Sequence, residues 1–297
     1  MGSSIRASVF PRRGSLLTAQ PLCSHILHRP AGLVGLIVII IYVLVAILAP
    51  LLAPFDPVKQ IRGKELAAPG DSFLVGTDQY GRDIFSRLIF GSRISLTVAL
   101  ISVVVGGGLG ILTGLLSGYY GGWVDSVVMR IFDVILAYPA LILSIAIVAV
   151  IGTGWINVAY ALSIVYVPQF ARIVRASVLT QKELEYVSAA ASLGCTESRI
   201  MFRQILPNCI GPILVQSSLS FGHAVLAESS LSFLGLGTQP PFPSWGTMIS
   251  EGQTYLRQAW WYPVFPGLAL AFLSISLNFL SDTIRDAFDP SRRSLKE

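Results

Sequence analysis

The chain has little charge. Asp, Glu, Lys and Arg make up 12% of its 297 residues, against 53% hydrophobic residues. Soluble domains carry about twice that charge, so a water-facing surface over most of the chain is excluded. Histidine and cysteine are equally scarce, with three of each. The histidines fall at His25, His28 and His223, which leaves no His-Glu-x-x-His motif, and no Gly-x-Ser-x-Gly elbow occurs. An intramembrane enzyme therefore lacks its catalytic constellation, and no catalytic residue is assigned. Cys23, Cys195 and Cys209 are too few and too far apart for a disulfide framework. Cys23, His25 and His28 lie close together in CSHILH but lack the remaining ligands of a structural zinc site, so no metal is assigned. No Gly-x-x-x-x-Gly-Lys-[Ser/Thr] loop is present, and GGGLGILTG lacks the Gly-x-Gly-x-x-Gly spacing. Any nucleotide energy must come from a partner. The formal charge of +5 comes from basic residues spread among loops, with no aromatic-basic module around them, which excludes nucleic acid as a partner.

Long apolar runs take the place of these motifs. AGLVGLIVIIIYVLVAILAPLL (31–52) is uncharged throughout. At about 1.5 Å per residue it crosses a hydrocarbon layer of roughly 30 Å. It has no polar face to turn to water, and it is too long for a signal-peptide core, so it is expected to remain as an anchor. Further runs at 95–118, 127–150, 156–177, 209–236 and 262–282 bring the number of expected spans to six. The fold class predicted is all-α, a polytopic bundle in the lipid bilayer. The expected organisation is an N-terminal arm (1–30), a first span (31–52), an external loop with an interfacial helix (53–94), a five-helix core (95–285) and a C-terminal tail (286–297). With the N-terminus inside, two thirds of the 21 Lys and Arg residues, among them Arg6, Arg12, Arg13, Arg292, Arg293 and Lys296, fall on the cytoplasmic side. That bias favours N-in and C-in, and it puts the segment 178–208 in the cytoplasm.

Gly106, Gly110, Gly114 and Gly118 recur every four residues and present bare backbone on one face of the second span. Such a face admits close approach of another helix, either within this chain or on another subunit. Pro139, Pro168 and Pro212 each remove a backbone donor inside or near a span and are candidate kinks. Glu228 is a carboxylate within the fifth span. It is a possible pathway residue, or a hydrogen-bonded structural one, and an ion-coupled secondary transporter would use it as carrier site. Asp125, Arg130 and Asp133 cluster at the inner end of the third span, where Asp133 lies within i,i+3 reach of Arg130 and a structural pairing is expected. In the external loop, whose acids include Asp56, Glu65 and Asp71, Thr77 or Asp78 can start a turn or cap a helix. Arg82, Asp83 and Arg87 then share a helical face, as a surface salt-bridge lattice or as a scaffold for a docked protein.

Residues 183–207 form a small, polar, helix-prone segment between two apolar runs. Leu184, Val187 and Ala191 make a narrow apolar stripe, and the Ala-rich stretch favours a thin helix. Gly194 supplies a left-handed stop. Thr196 can cap a second helix with Glu197 in its first turn, Ile200, Met201 and Ile205 form its apolar side, and Pro207 ends it. A thin rigid knuckle of this kind suits a groove on another protein. A helix resting on lipid would carry bulkier apolar residues and more Lys.

The same residues carry a family resemblance. SAAASLGCTESRIMFRQILP resembles the "EAA" loop of membrane permeases in ATP-binding-cassette importers, with Ala189, Ala190, Gly194, Leu206 and Pro207 in register. Ser188 stands where the family usually has Glu, and Gln204 where it usually has Ile. LVGTDQYGRDIFSRLIFGSRISL (74–96), LSFLGLGTQPPFPSWGTMISEG (231–252) and FPGLALAFLSISLNFLSDTIRDAFDP (265–290) look like the dipeptide, oligopeptide and nickel branch of those permeases, and within it the C-type subunit. The resemblance covers roughly residues 30–290. It implies a multi-pass protein of the bacterial inner membrane. Ser188, Ala189, Ala190, Gly194, Thr196, Ile200, Leu206 and Pro207 would form the loop that couples to the ATPase. Gly76, Thr77, Asp78, Gly81, Arg82 and Asp83 would form the external-loop motif. The implied partners are a second, homologous permease, two ATP-binding subunits that hold ATP and Mg, and an extracytoplasmic substrate-binding protein. The implied cargo is short peptides, with nickel chelates and glutathione-like peptides left open, and this chain itself binds no cofactor.

Overall fold

A computed structural model describes residues 29–70 and 72–288. Cys23, His25, His28, Asp71, Arg292, Arg293 and Lys296 lie outside the described residues, as do Arg6, Arg12 and Arg13. Among the described residues the chain is helical: α1 (Pro30–Ile47), α2 (Ala49–Leu52), α3 (Ile84–Tyr120), α4 (Gly122–Leu136), α5 (Ala140–Ile151), α6 (Trp155–Lys182), α7 (Glu185–Ser192), α8 (Glu197–Ile200), a π-helical turn (Met201–Ile205), α9 (Leu206–Asn208), α10 (Ile210–Phe233), α11 (Trp245–Gln253) and α12 (Trp261–Phe288). Five helices are long and apolar enough to cross a membrane: α1, α3, α6, α10 and α12.

The sixth expected span is not one helix. α4 and α5 meet at a bend of 92°. Pro139 sits at the break in an extended conformation, φ −55° and ψ 129°. Its ring disfavours helix at Tyr138 and it donates no bond to the preceding turn, so the run 127–150 bends there. Pro168 behaves differently and stays inside α6. Pro212 lies in the first turn of α10, where backbone donors have no intrahelical partner to lose.

The second span starts earlier than its apolar run. Asp83 caps α3, accepting from the Ser86 amide at 2.8 Å, so the helix already runs at Ile84 rather than at residue 95. At 1.5 Å per residue its 37 residues extend about 55 Å, well beyond a 30 Å hydrocarbon layer. The helix thus has length to spare for its polar N-terminal end, which carries Arg87 and Arg93.

The bundle is organised on the pairing of α3 with α6, its most extensive helix contact. The glycine face lies against α6 of the same chain. A Cβ on Gly106 would meet the Ser163 carbonyl at 2.6 Å, one on Gly110 the Val167 carbonyl at 2.6 Å, one on Gly114 the Ala171 carbonyl at 2.4 Å, and one on Gly118 the Val178 side chain at 2.9 Å. Backbone thus rests on backbone over the length of the pair. Ser102 reinforces it by donating to the Ala159 carbonyl at 3.1 Å. α12 packs on α1 and α10, with Tyr42 donating to the Ala269 carbonyl at 2.9 Å and Arg29 paired with Asp286. Ile37, Ile41 and Leu44 of α1 and Leu112 of α3 are left exposed, as lipid-facing positions should be.

Candidate functional site

Three charged or projecting features stand out on this bundle. The first is the knuckle between α6 and α10. Val187, Ala190, Ile200, Met201, Ile205 and Cys209 pack onto Leu115 of α3 and Val174 and Val178 of α6. The knuckle is therefore anchored on the two helices that pair most closely. Cys209 is fully buried among them as a packing group. Tyr120 donates to Glu197 at 3.2 Å, and Lys182 donates to the Tyr119 carbonyl.

Gly194 has φ +76°, with nothing within 4 Å of where a Cβ would stand. Backbone conformation, not space, selects glycine there. The buried stripe is Val187 with Ala190, whereas Leu184 and Ala191 are exposed, because the helix turns its i,i+3 pair inward from an N-cap at Leu184. Thr196 occupies the N-cap of α8 without a side-chain bond. Pro207 does not end the structure either. It sits in the first turn of α9, so helix continues to Asn208 and resumes at Ile210. Ser188, Ala189, Gly194, Thr196 and Pro207 are exposed, Leu206 is half-buried, and Ala190 and Ile200 face inward. At the tip, Leu193 is 85% exposed, a large apolar side chain that none of the described residues covers.

The second feature lies at the opposite end of the bundle, where the loop before α3 holds a buried charge network. Asp78 accepts from the Tyr80 amide at 2.8 Å and the Arg82 amide at 2.9 Å, and so shapes the turn. Its other oxygen meets Arg82 Nε at 2.5 Å and Arg87 Nε at 3.5 Å. Glu251 of α11 faces both guanidiniums, at 3.4 Å and 4.0 Å, and accepts from the Tyr262 hydroxyl. Arg87 also donates to the Pro57 and Pro241 carbonyls. Asp78, Arg82 and Arg87 are all at most 3% exposed. This corrects the reading of a surface lattice: α11 and α12 cover the loop and enclose its charges. Thr77 Oγ1 donates to the Lys64 carbonyl and accepts from the Ala67 amide at 2.8 Å, bracing the loop rather than capping a helix. Gly76 and Gly81 sit where a Cβ would strike Trp261 or Ala67 and Ile61, respectively.

The third feature is inside the spans. Glu228 is wholly buried and accepts from Ser95 of α3 at 2.6 Å, Ser232 at 2.7 Å and Ser229 at 3.4 Å. Its side chain is enclosed in this conformation, out of reach of a passing solute, and it joins α10 to α3. His223 is exposed and makes no bond to it. Asp133 does not pair with Arg130. It pairs with Arg172 of α6, and Asp125 pairs with Arg175 of the same helix. These four residues, with Ser126 and Met129, line an open cavity of ≈ 540 Å³ between α4 and α6.

Glu251, Tyr262, Leu193, Arg172 and Arg175 are functional candidates that motif reading passed over. Two arginines inside the apolar run 156–177 are a signal in themselves, since a cation at that depth requires a partner or water.

Residues 110–294 match the family model described as "Binding-protein-dependent transport system inner membrane component", and residues 25–69 match "N-terminal TM domain of oligopeptide transport permease C". The chain is 42% identical over 273 residues to the di/tripeptide transport system permease protein of Pseudomonas aeruginosa, covering 90% of each chain. It is 42% identical to the dipeptide transport system permease protein of Escherichia coli, over 90% of this chain and 91% of that one. It is also 42% identical to the glutathione transport system permease protein of Pectobacterium atrosepticum, over 89% of this chain and 87% of that one. Among solved structures, a chain of the MetNI methionine ABC transporter in inward facing conformations superposes with a TM-score of 0.51 at 15% identity, covering 68% of this chain and 97% of that one. That likeness concerns the fold.

Proposed function

This chain belongs to the family of binding-protein-dependent transport system inner membrane components, a multi-pass inner-membrane permease, and from that premise we propose that it forms half of the pore of an ATP-driven importer of short peptides. The observation that carries the coupling role is the knuckle. Its inner side is fixed to α3 and α6, while Ser188, Ala189, Leu193 and Gly194 project at its tip. An ATP-binding subunit seats that tip in a cleft, and closure of two such subunits around ATP and Mg moves the knuckles of two related permeases. Because the knuckle is rigidly mounted, its displacement reaches the α3–α6 pair and switches the pore between its two access states. ATP drives the cycle by binding one of those states more tightly than the other.

N-in, C-in topology places the knuckle in the cytoplasm and the enclosed network around Asp78 outside, beneath the docked substrate-binding protein. Peptide cargo is supported by the relatives named for dipeptides and di/tripeptides, and glutathione is itself a tripeptide. The work of this chain is transport, with hydrolysis on its partners. The ion-coupled alternative draws no support from Glu228, which is enclosed by serines.

Peptide uptake into proteoliposomes holding the whole transporter tests this reading. Leu193→Asp with Ala189→Glu places two charges in the docking tip without touching the anchored side. An unpaired charge buried at the interface costs about 3 kcal/mol or more, so ATP-dependent uptake is expected to fall at least about 100-fold. Uptake at the unmodified rate contradicts the coupling role of the knuckle.

A further inference from the structure

We propose that Asp133 and Arg172 form a recognition site for the charged ends of a short zwitterionic peptide, Asp133 taking the ammonium group and Arg172 the carboxylate. The assignment rests on the peptide-import reading and goes beyond it by naming the groups in this chain that meet the cargo.

The cavity between α4 and α6 contains two ion pairs that differ in kind. Arg175 grips Asp125 through two nitrogens, one of them at 2.5 Å from Oδ2, and Ser117 of α3 donates to the same carboxylate. Their side chains are 33% and 18% exposed. This pair is a fixed strut between three helices. Arg172 and Asp133 make a single contact, and their side chains are 50% and 47% exposed. Asp133 keeps one carboxylate oxygen without a partner, and Arg172 keeps its remaining donors, among the described residues. A monodentate, half-exposed pair is weakly held because water screens it and its side chains lose freedom to form it. It can open and exchange each partner for a ligand group of the same charge.

Arg172 lies about 15 Å from the Lys182 end of α6, and Asp133 about 16 Å from the Gly122 end of α4, at 1.5 Å per residue. Both groups thus stand a similar distance along their helices from the ends nearest the knuckle, and they face each other across the cavity. Open charges on the helices of a membrane bundle face water or a polar path. Arg172 and Asp133 touch in this conformation, so the pair parts to admit a peptide of two or three residues, about 3.5 Å each, between its groups. The rest of the lining does not select a side chain. Met129 offers a pliable apolar wall and Ser126 a small polar one. Such a cavity reads the two ends of a peptide and tolerates what lies between.

The test uses the complete transporter in proteoliposomes, with its ATP-binding subunits and binding protein. Uptake of dialanine, its C-terminal amide and its N-acetyl derivative is measured at saturating concentration in the intact chain, Arg172→Gln, Asp133→Asn and the double variant. Any preference of the binding protein cancels, because it is common to all samples. Arg172→Gln is expected to reduce the dialanine-to-amide rate ratio about tenfold, the loss expected for one charge-assisted contact. Asp133→Asn is expected to reduce the dialanine-to-acetyl ratio similarly. A merely structural pair would change all rates by one factor, and that result, or no change, overturns the site. The double variant strands no charge, so it reports the same ratios if a single variant fails to assemble. An intact complex that hydrolyses ATP but takes up none of the peptides overturns the peptide reading itself, and this site with it.

Discussion

Gly114→Leu is expected to eliminate the folded chain from the membrane. The Cβ alone would stand 2.4 Å from the Ala171 carbonyl oxygen and 2.9 Å from its Cα, and both are backbone atoms of a helix that cannot yield locally. Extra methylenes in a packed core cost about 1–3 kcal/mol when side chains can adjust. Here α6 as a whole must move away, which also opens the contacts at Gly110 and Gly118. The expected loss is therefore above about 3 kcal/mol, enough to unfold a marginally stable protein. Gly108 provides the internal control, since it lies on the same helix with nothing within 4 Å of its would-be Cβ. Gly108→Leu removes a helix-weakening glycine at an open position and should leave yield and thermal stability intact or slightly improved. Size-exclusion profiles and melting curves of both variants in detergent check the pair. Equal behaviour of the two would show that the α3–α6 interface is not the mainstay of the bundle.

Asp78→Ala is expected to be the next most damaging change. Asp78 is wholly buried, faces two guanidiniums, and accepts two amides of its own turn. Its removal leaves Arg82 and Arg87 to repel each other with only Glu251 to compensate, and breaking a buried pair from one side costs about 3–5 kcal/mol. Replacing Arg87 by Met as well removes the stranded cation. The double variant Asp78→Ala, Arg87→Met should therefore be destabilised by less than the sum of its two single changes, as neighbours in one network are. Thermal melts of the four proteins measure this directly. Strict additivity would mean that the charges act independently and that the turn alone accounts for the loss.

The sequence makes the helical architecture legible because apolar runs report their own length and the bilayer fixes what length they need. It reveals the glycine face but not its partner, since Ser163, Val167 and Ala171 lie 57 positions further on from the glycines they meet, and only folding aligns them. The knuckle is legible as two helices about Gly194, because a left-handed stop and an N-cap are local signals. Val187, Ile200, Met201 and Ile205 are legible as its inward side, but Ala190 is not told from Ala191, because two identical neighbours are sorted only by what the helix packs on. The charges around Asp78 read equally as a surface lattice or a docking scaffold, and their burial is not legible because Glu251 and Tyr262, which enclose them, come from the far end of the chain. The break at Pro139 has a visible cause, but an apolar run on both sides of it conceals a bend of 92°. Asp133 has Arg130 in local reach, yet the pair it forms spans two helices.

Purification of the complex from native membranes in mild detergent, with identification and counting of every copurifying chain, tests the central claim most directly. The account predicts a second, related permease and two copies of a Walker-motif ATPase with this chain. It further predicts that Leu193→Asp loses the ATPase while keeping the second permease. An ATPase absent under every mild condition, or retained in full by Leu193→Asp, would contradict it.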